Sequence, residues 1–162
     1  MKGSNKGINT ELALLFNRTN HLLQKARQKE LDKYGISLQT SGILNIIVRS
    51  DKKATPGSIA RELFIERHSV SEMLARMEME GLVKRIKDLE RKNLIRLELT
   101  DKGYDAYLKS NVREVLDDIL SALTESEKLE LWPLLSKIRT RAMKHMKIKE
   151  IDIYPPSNLV KL

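Results

Sequence analysis

Apolar residues at Leu12, Leu15, Leu22, Leu23 and Ala26, with Thr19 filling one slot, recur at helical spacing. They predict a first helix from about Thr10 to Lys33, ended by Tyr34-Gly35 with Gly35 beyond the last turn. Ser37 then reads as the N-cap of a short second helix through Ile43, Leu44, Ile47 and Val48. After the polar connection 50–54, Thr55-Pro56 reads as an N-cap followed by proline at the first helical position, where its missing N–H costs nothing. Ile59, Ala60 and Leu63 lie on one face of the helix that follows. Ile65-Glu66-Arg67 has the length of a tight turn, and Val70, Met73, Leu74 and Met77 form the apolar stripe of a further helix closed by Gly81.

Beyond Gly81 the period changes from helical to two. Val83 to Lys87 and Asn93 to Leu99 read as strands, with Ile95, Leu97 and Leu99 alternating with Arg96 and Glu98. The charged segment Asp88-Leu89-Glu90-Arg91-Lys92 is the tip of this hairpin, and Asn93 is the residue there best able to take a left-handed conformation. Thr100 caps a helix expected from Asp101 to Leu123. Thr124-Glu125-Ser126-Glu127 is a capping box for the last helix, which carries Leu131, Leu134, Leu135, Ile138 and Met143. Pro133 falls inside that helix and is expected to kink it. The tail, 151–162, contains Pro155-Pro156 and is expected to be extended.

Short helix, tight turn, second helix and hairpin, in that order, are the layout of a winged helix-turn-helix. The predicted fold is mainly α, with a two-stranded β-hairpin wing and long N- and C-terminal helices. It divides into an N-terminal dimerisation helix (1–36), the winged helix-turn-helix (37–100), C-terminal dimerisation helices (101–148) and a tail (149–162). A winged helix of about fifty residues does not need such long apolar terminal helices, and a twofold partner is the commonest way to bury their surplus surface.

Charge sharpens the picture. The 162 residues carry a net charge of +8, which points to a polyanionic partner, most often nucleic acid. The excess is spread along the chain, but residues 84–96 concentrate Lys84, Arg85, Lys87, Arg91, Lys92 and Arg96 against Asp88 and Glu90. There is no cysteine, which excludes disulfides, thiolate metal sites and a thiol redox sensor, and is compatible with a reducing cytoplasm. The N-terminus lacks the apolar core of a signal peptide, and no run is long and apolar enough to span a membrane, so no membrane partner is expected.

In a helix-turn-helix the second helix presents its N-terminal part to the major groove, where each base pair shows a distinct donor and acceptor pattern. Here that part is Arg67-His68-Ser69-Val70-Ser71-Glu72, with Val70 turned inward. Arg67 suits a guanine edge or a phosphate, His68 faces the same way, and Ser69 and Ser71 are short donors. Arg76 reaches a phosphate or pairs with Glu72 or Glu80 on its own helix. With Arg85, Arg91 and Lys92 of the hairpin, these are the candidate DNA-binding residues. The amphipathic stripe alone fits any packed helix, and the hairpin alone fits a solvated charged loop; the succession of the two carries the reading.

The chain resembles the MarR family of winged helix-turn-helix transcriptional regulators over about residues 8–147. The resemblance rests on Ser69-Val70-Ser71, Ala75-Arg76-Met77-Glu78, Glu80-Gly81-Leu82-Val83-Lys84-Arg85, Asp88-Leu89-Glu90-Arg91-Lys92 and Leu99-Thr100-Asp101-Lys102-Gly103. It implies a homodimer that binds an imperfect palindrome in double-stranded DNA, with recognition helices in successive major grooves and Arg91 at the minor groove. It implies that Asp88 braces a nearby arginine. Lys92 stands where the family often has a second arginine, and a lysine point charge suits phosphate better than a base. The resemblance further implies a repressor released by a small aromatic or anionic effector, bound near Tyr34 and Gln39-Thr40-Ser41-Gly42, where a helix cap and a packed tyrosine are the plainer explanations.

Three other classes stand beside this one. An enzyme would need a catalytic constellation, and the chain has no glycine-rich phosphate loop, no Gly-x-Ser-x-Gly and no cysteine nucleophile. A metal sensor would draw on His21 and His145, but His21, His68 and His145 lack metal-ligand spacing, and no cofactor is expected. A winged helix used for protein contacts predicts weak, nonspecific DNA binding despite the charge.

Overall fold

The structure, a computed structural model, describes residues 4–87 and 94–148, with side chains from Gly7 onward. In chain order the elements are α1 (Ser4–Asp32), α2 (Leu38–Arg49), α3 (Pro56–Leu63), α4 (Arg67–Met79), β1 (Val83–Lys87), β2 (Ile95–Leu99), α5 (Asp101–Ser110), α6 (Glu114–Leu120) and α7 (Glu125–His145). Two compact units divide the chain, one running to Leu116 and the other from Asp117 onward. The expected hairpin tip, with Asp88, Glu90, Arg91, Lys92 and Asn93, and the expected extended tail lie outside the described residues.

Helix starts follow their predicted caps. Ser37, Thr55, Thr100 and Thr124 sit in extended backbone conformation, and each side chain accepts the amide of the residue three positions on, removing an orphan donor worth about 1 kcal/mol. Helix ends follow glycine: Gly35 and Gly81 take positive φ of 65° and 71°, the left-handed turn that closes a helix without steric cost. Phe64, between α3 and α4, takes the same conformation at φ 57°, where an aromatic residue is rare.

Three expectations need correction. First, α1 begins at Ser4 and ends at Asp32, because no proline interrupts the stretch before Thr10, and Gly7 costs about 1 kcal/mol relative to alanine without stopping a long helix. Second, the single helix expected from Asp101 to Leu123 is two, broken between Ser110 and Glu114. The break is held from outside: Arg27 of α1 donates to the carbonyls of Ser110 and Val112, and the Val115 amide donates to Glu30 Oε1 at 3.1 Å. Side chains of α1 thus supply partners that helical continuation would otherwise provide. Third, Ile95 is exposed although its alternation put it on the inner face. It pairs with Lys87 at the outer end of the hairpin, beyond the reach of the core.

The core of the first unit joins α2, α3, α4 and the hairpin. Ile43, Leu44, Ile59, Val70, Leu74 and Leu97 are completely buried, with Met77 and Val83 beside them. The antiparallel pair places Val83 opposite Leu99 and Lys84 opposite Glu98, and the latter two form an ion pair at 3.3 Å. The Leu97 amide also donates to the Ala54 carbonyl at 3.0 Å, which ties the segment before α3 to β2.

In the second unit, the Thr124 amide and hydroxyl both donate to Glu127, which holds its carboxyl below the usual glutamate range. Proline removes one helical hydrogen bond, yet α7 runs from Glu125 to His145 with Pro133 inside it. Each unit leaves an apolar stripe uncovered. On α1 it comprises Ile8, Leu12, Leu15, Phe16 and Leu22; on α7 it comprises Leu131, Trp132, Leu134, Leu135 and Ile138.

Candidate nucleic-acid interface

Helix α4 buries Val70, Leu74 and Met77 against the core, and this fixes what the rest of its surface presents. At 3.6 residues per turn, the face opposite that stripe carries His68, Glu72, Ala75 and Met79, with Ser71 on its flank and Arg67 farther round toward the stripe. All six are exposed, Met79 to 81%. The Ser71 hydroxyl donates to the Arg67 carbonyl at 2.9 Å, leaving its oxygen free to accept. Glu66, where the other caps would stand, makes no side-chain bond to the first turn.

The structure therefore gathers Arg67, His68 and Ser71 on one surface. Three other candidates are placed differently, although Arg76 and Arg85 are exposed too. Ser69 is half-buried, and Ser69 and Arg76 both line a cavity on the flank of α4. Arg85 reaches back from β1 to Glu78, with Nε 3.1 Å from the carboxylate. It ties the hairpin to α4, and its side chain remains about a third exposed. Arg91 and Lys92 lie outside the described residues. From Glu66 to Glu80 the chain has two arginines and four glutamates, so this helix does not by itself attract a polyanion.

A chain of hydrogen bonds keeps α4 in place. Thr100 Oγ1 donates to the Gly81 carbonyl at 2.6 Å, the Thr100 amide donates to the Leu82 carbonyl at 3.1 Å, and Lys102 Nζ donates to the Glu80 carbonyl at 2.7 Å. Gly103 makes the close approach possible: a Cβ there would stand 1.9 Å from the Leu82 oxygen. At the far edge of the lobe Arg96 donates to the Lys52 carbonyl at 3.1 Å.

The cavity has a volume of about 760 Å³ and lies among the end of α1, the start of α2, α4 and α5. Tyr34, Gln39 and Thr40 line it, as do Met73, Leu82 and Ala106, and its charged groups are Arg76, Lys102 and Lys109 with Glu72, Glu80 and Asp105. Its apolar side chains stand among six charged groups of balanced sign, a mixed lining that a small organic molecule with polar substituents fits. Tyr34, Gln39 and Thr40 lie in the region the resemblance points to, though no motif in the sequence marks a pocket, and nothing in the spacing of the α5 residues marks a shared wall. Among the described residues no group of three or more histidines and carboxylates is placed to hold a metal ion, and no helix is long and apolar enough to cross a membrane.

Comparison with known proteins fits this geometry. Residues 34–92 match the MarR family. The HTH-type transcriptional regulator BilQ of Clostridium symbiosum is 30% identical over 129 residues, covering 76% of this chain and 86% of that protein. The chain belongs to the MarR family. As a MarR-family member it is a transcriptional regulator of the winged helix-turn-helix class and not an enzyme. The HTH-type transcriptional regulator PecS of Dickeya dadantii is 29% identical over 126 residues, 75% of either chain. Among solved structures, the organohalide-sensing regulator RdhR-CbdbA1625 in its 2,4-dichlorophenol-bound form has a TM-score of 0.78 at 27% identity, covering 91% of this MarR-family chain and 90% of its own. A cysteine-to-serine mutant of MarR from E. coli, complexed with operator DNA, has the same fold with a TM-score of 0.73 at 21% identity, over 79% of this chain and 93% of that one.

Proposed function

We propose that this regulator binds an imperfect palindrome in double-stranded DNA as a homodimer in the cytoplasm, represses transcription there, and is released by a small aromatic or anionic effector. The observation that carries the reading is the exposed set Arg67, His68 and Ser71 on a helix locked to the core and to the hairpin. In this reading residues 37–100 are the DNA-binding part, Arg67, His68 and Ser71 meet base edges or phosphates, and Arg85, Arg91 and Lys92 supply backbone attraction. Ser69 and Arg76 act from the cavity side. The uncovered apolar stripes of α1 and α7, which a twofold partner would bury, support the dimer. The effector class rests on the apolar and aromatic residues of the cavity, Met73, Leu82, Ala106 and Tyr34, beside Arg76, Lys102 and Lys109, which are offset by three carboxylates, and on dichlorophenol being the ligand of the RdhR-CbdbA1625 structure.

Fluorescence anisotropy tests this, with duplexes from upstream of the protein's own gene, scrambled controls and a salt series. Sequence-selective binding is expected to weaken steeply with salt, and Arg67→Ala is expected to weaken it by about 1–3 kcal/mol if the arginine reads a base. If it meets a phosphate, the loss is uniform across sequences and the salt slope falls by about one. The four glutamates of 66–80 favour a second reading, a winged helix that contacts protein. Equal, weak binding to every duplex, including those recovered from a random library, would sustain that one.

A further inference from the structure

Two stretches of chain flank the body that α5 forms with residues 37–100: the turn 33–37 that enters α2, and the break 111–113 that leaves α5. Both are held by one turn of α1. Gln28 takes the first: its Oε1 accepts the Leu38 amide at 2.8 Å, and its Nε2 donates to the Ile36 carbonyl at 3.2 Å. Arg27 and Glu30 take the second, Arg27 through the Ser110 and Val112 carbonyls and Glu30 through the Val115 amide. Arg27 also donates to Glu30, and both are more than nine-tenths buried. Breaking a buried pair leaves an uncompensated charge, whereas replacing both partners with apolar groups is often tolerated. Here the two charges pair with each other and also satisfy backbone groups on either side of a chain break, with Gln28 doing the same at the entry turn.

We propose that Arg27, Gln28 and Glu30 are positioning residues forming a joint that fixes the direction in which the chain enters and leaves the DNA-binding part, and so sets the half-site spacing the homodimer accepts. The inference rests on the DNA-binding reading above. Geometry argues for direction. The groups held are backbone amides and carbonyls at a helix start and a helix end, the positions whose hydrogen bonds decide where a helix stops. The guanidinium fork spans two carbonyls separated by one residue, so it fixes an angle as well as a distance.

The test is selection of bound sequences from a random duplex library by the full-length protein and by Arg27→Met, Glu30→Gln and the swap Arg27→Glu with Glu30→Arg. The joint predicts that each variant recovers the wild-type half-site sequence with a broadened or shifted spacing. Affinity for the wild-type duplex is expected to fall about tenfold, the size of one mismatched base pair. The swap retains opposite charges but turns a carboxylate toward the Ser110 and Val112 carbonyls, so it is expected not to rescue. Glu30→Gln keeps the volume but removes the charge to which Arg27 donates, and so loosens the guanidinium that holds the Ser110 and Val112 carbonyls; it reports even if Arg27→Met unfolds. Unchanged spacing in folded Glu30→Gln protein, or full rescue by the swap, would overturn the joint. If the wild type recovers no paired half-sites, the DNA-binding reading itself fails and the joint falls with it.

Discussion

Single positions in this protein differ sharply in what they tolerate, and Gly103 is the clearest case. A methyl group there meets the Leu82 backbone oxygen, which cannot swing aside as a side-chain tip would. Gly103→Ala is expected to destabilise the fold by at least about 1–3 kcal/mol, the usual range for overpacking, as read from urea denaturation. Glu30 makes a prediction about pH. Burial pushes its pKa up, but the Val115 amide and the hydrogen bond and charge of Arg27 outweigh it, so its carboxyl lies below the ordinary glutamate value. A lowered folded pKa means the group contributes fully above its unfolded value and loses that contribution as pH falls through the folded one. The stability gap between wild type and Glu30→Gln is therefore expected to be widest near neutral pH and to shrink on the acid side of the carboxylate range. A gap that stays constant through acid denaturation would contradict the assignment. Position 103 was legible in sequence as part of a Leu-Thr-x-x-Gly run. Glu30 was not, because an arginine and a glutamate three residues apart near the end of a charged helix look like a solvated pair until the α5–α6 break is seen above them.

Among the elements, those whose signals are local were read correctly. The caps at Ser37, Thr55, Thr100 and Thr124, the glycine stops at 35 and 81, and the stripe of α4 each depend on neighbours within a few positions, and all appear in the fold. The break at 111–113 depends on partners more than eighty residues away, and local pattern carries no trace of it. Ile95 fails for a related reason: period two says which face a side chain takes, but not how far along the hairpin the core extends. The candidate site divides in the same way. Helical geometry separates Arg67, His68 and Ser71 from the inward stripe, whereas the facing of Ser69 and Arg76 onto a cavity required α5 to be in place.

The whole molecule exposes more apolar surface than a monomer needs. Leu15 is 63% exposed within its stripe, so Leu15→Glu is expected to drive a dimer toward monomer in sedimentation velocity and to weaken palindrome binding far more than half-site binding. A variant that sediments like wild type would place the interface elsewhere. The charge of α4 has its own consequence, which concerns time. A regulator spends most of its life on DNA that is not its target, because wrong sites outnumber right ones enormously. Backbone attraction, which sequence does not modulate, sets how long it lingers there. Glu72 on the outward face of α4 makes close approach unfavourable wherever bases do not repay it with hydrogen bonds. Glu72→Gln is expected to lengthen residence on random DNA in single-molecule tracking, with dissociation from the specific site slowed by less. The carboxylate that makes α4 a poor magnet for DNA would thereby make it a faster searcher, quick to abandon a sequence that does not answer.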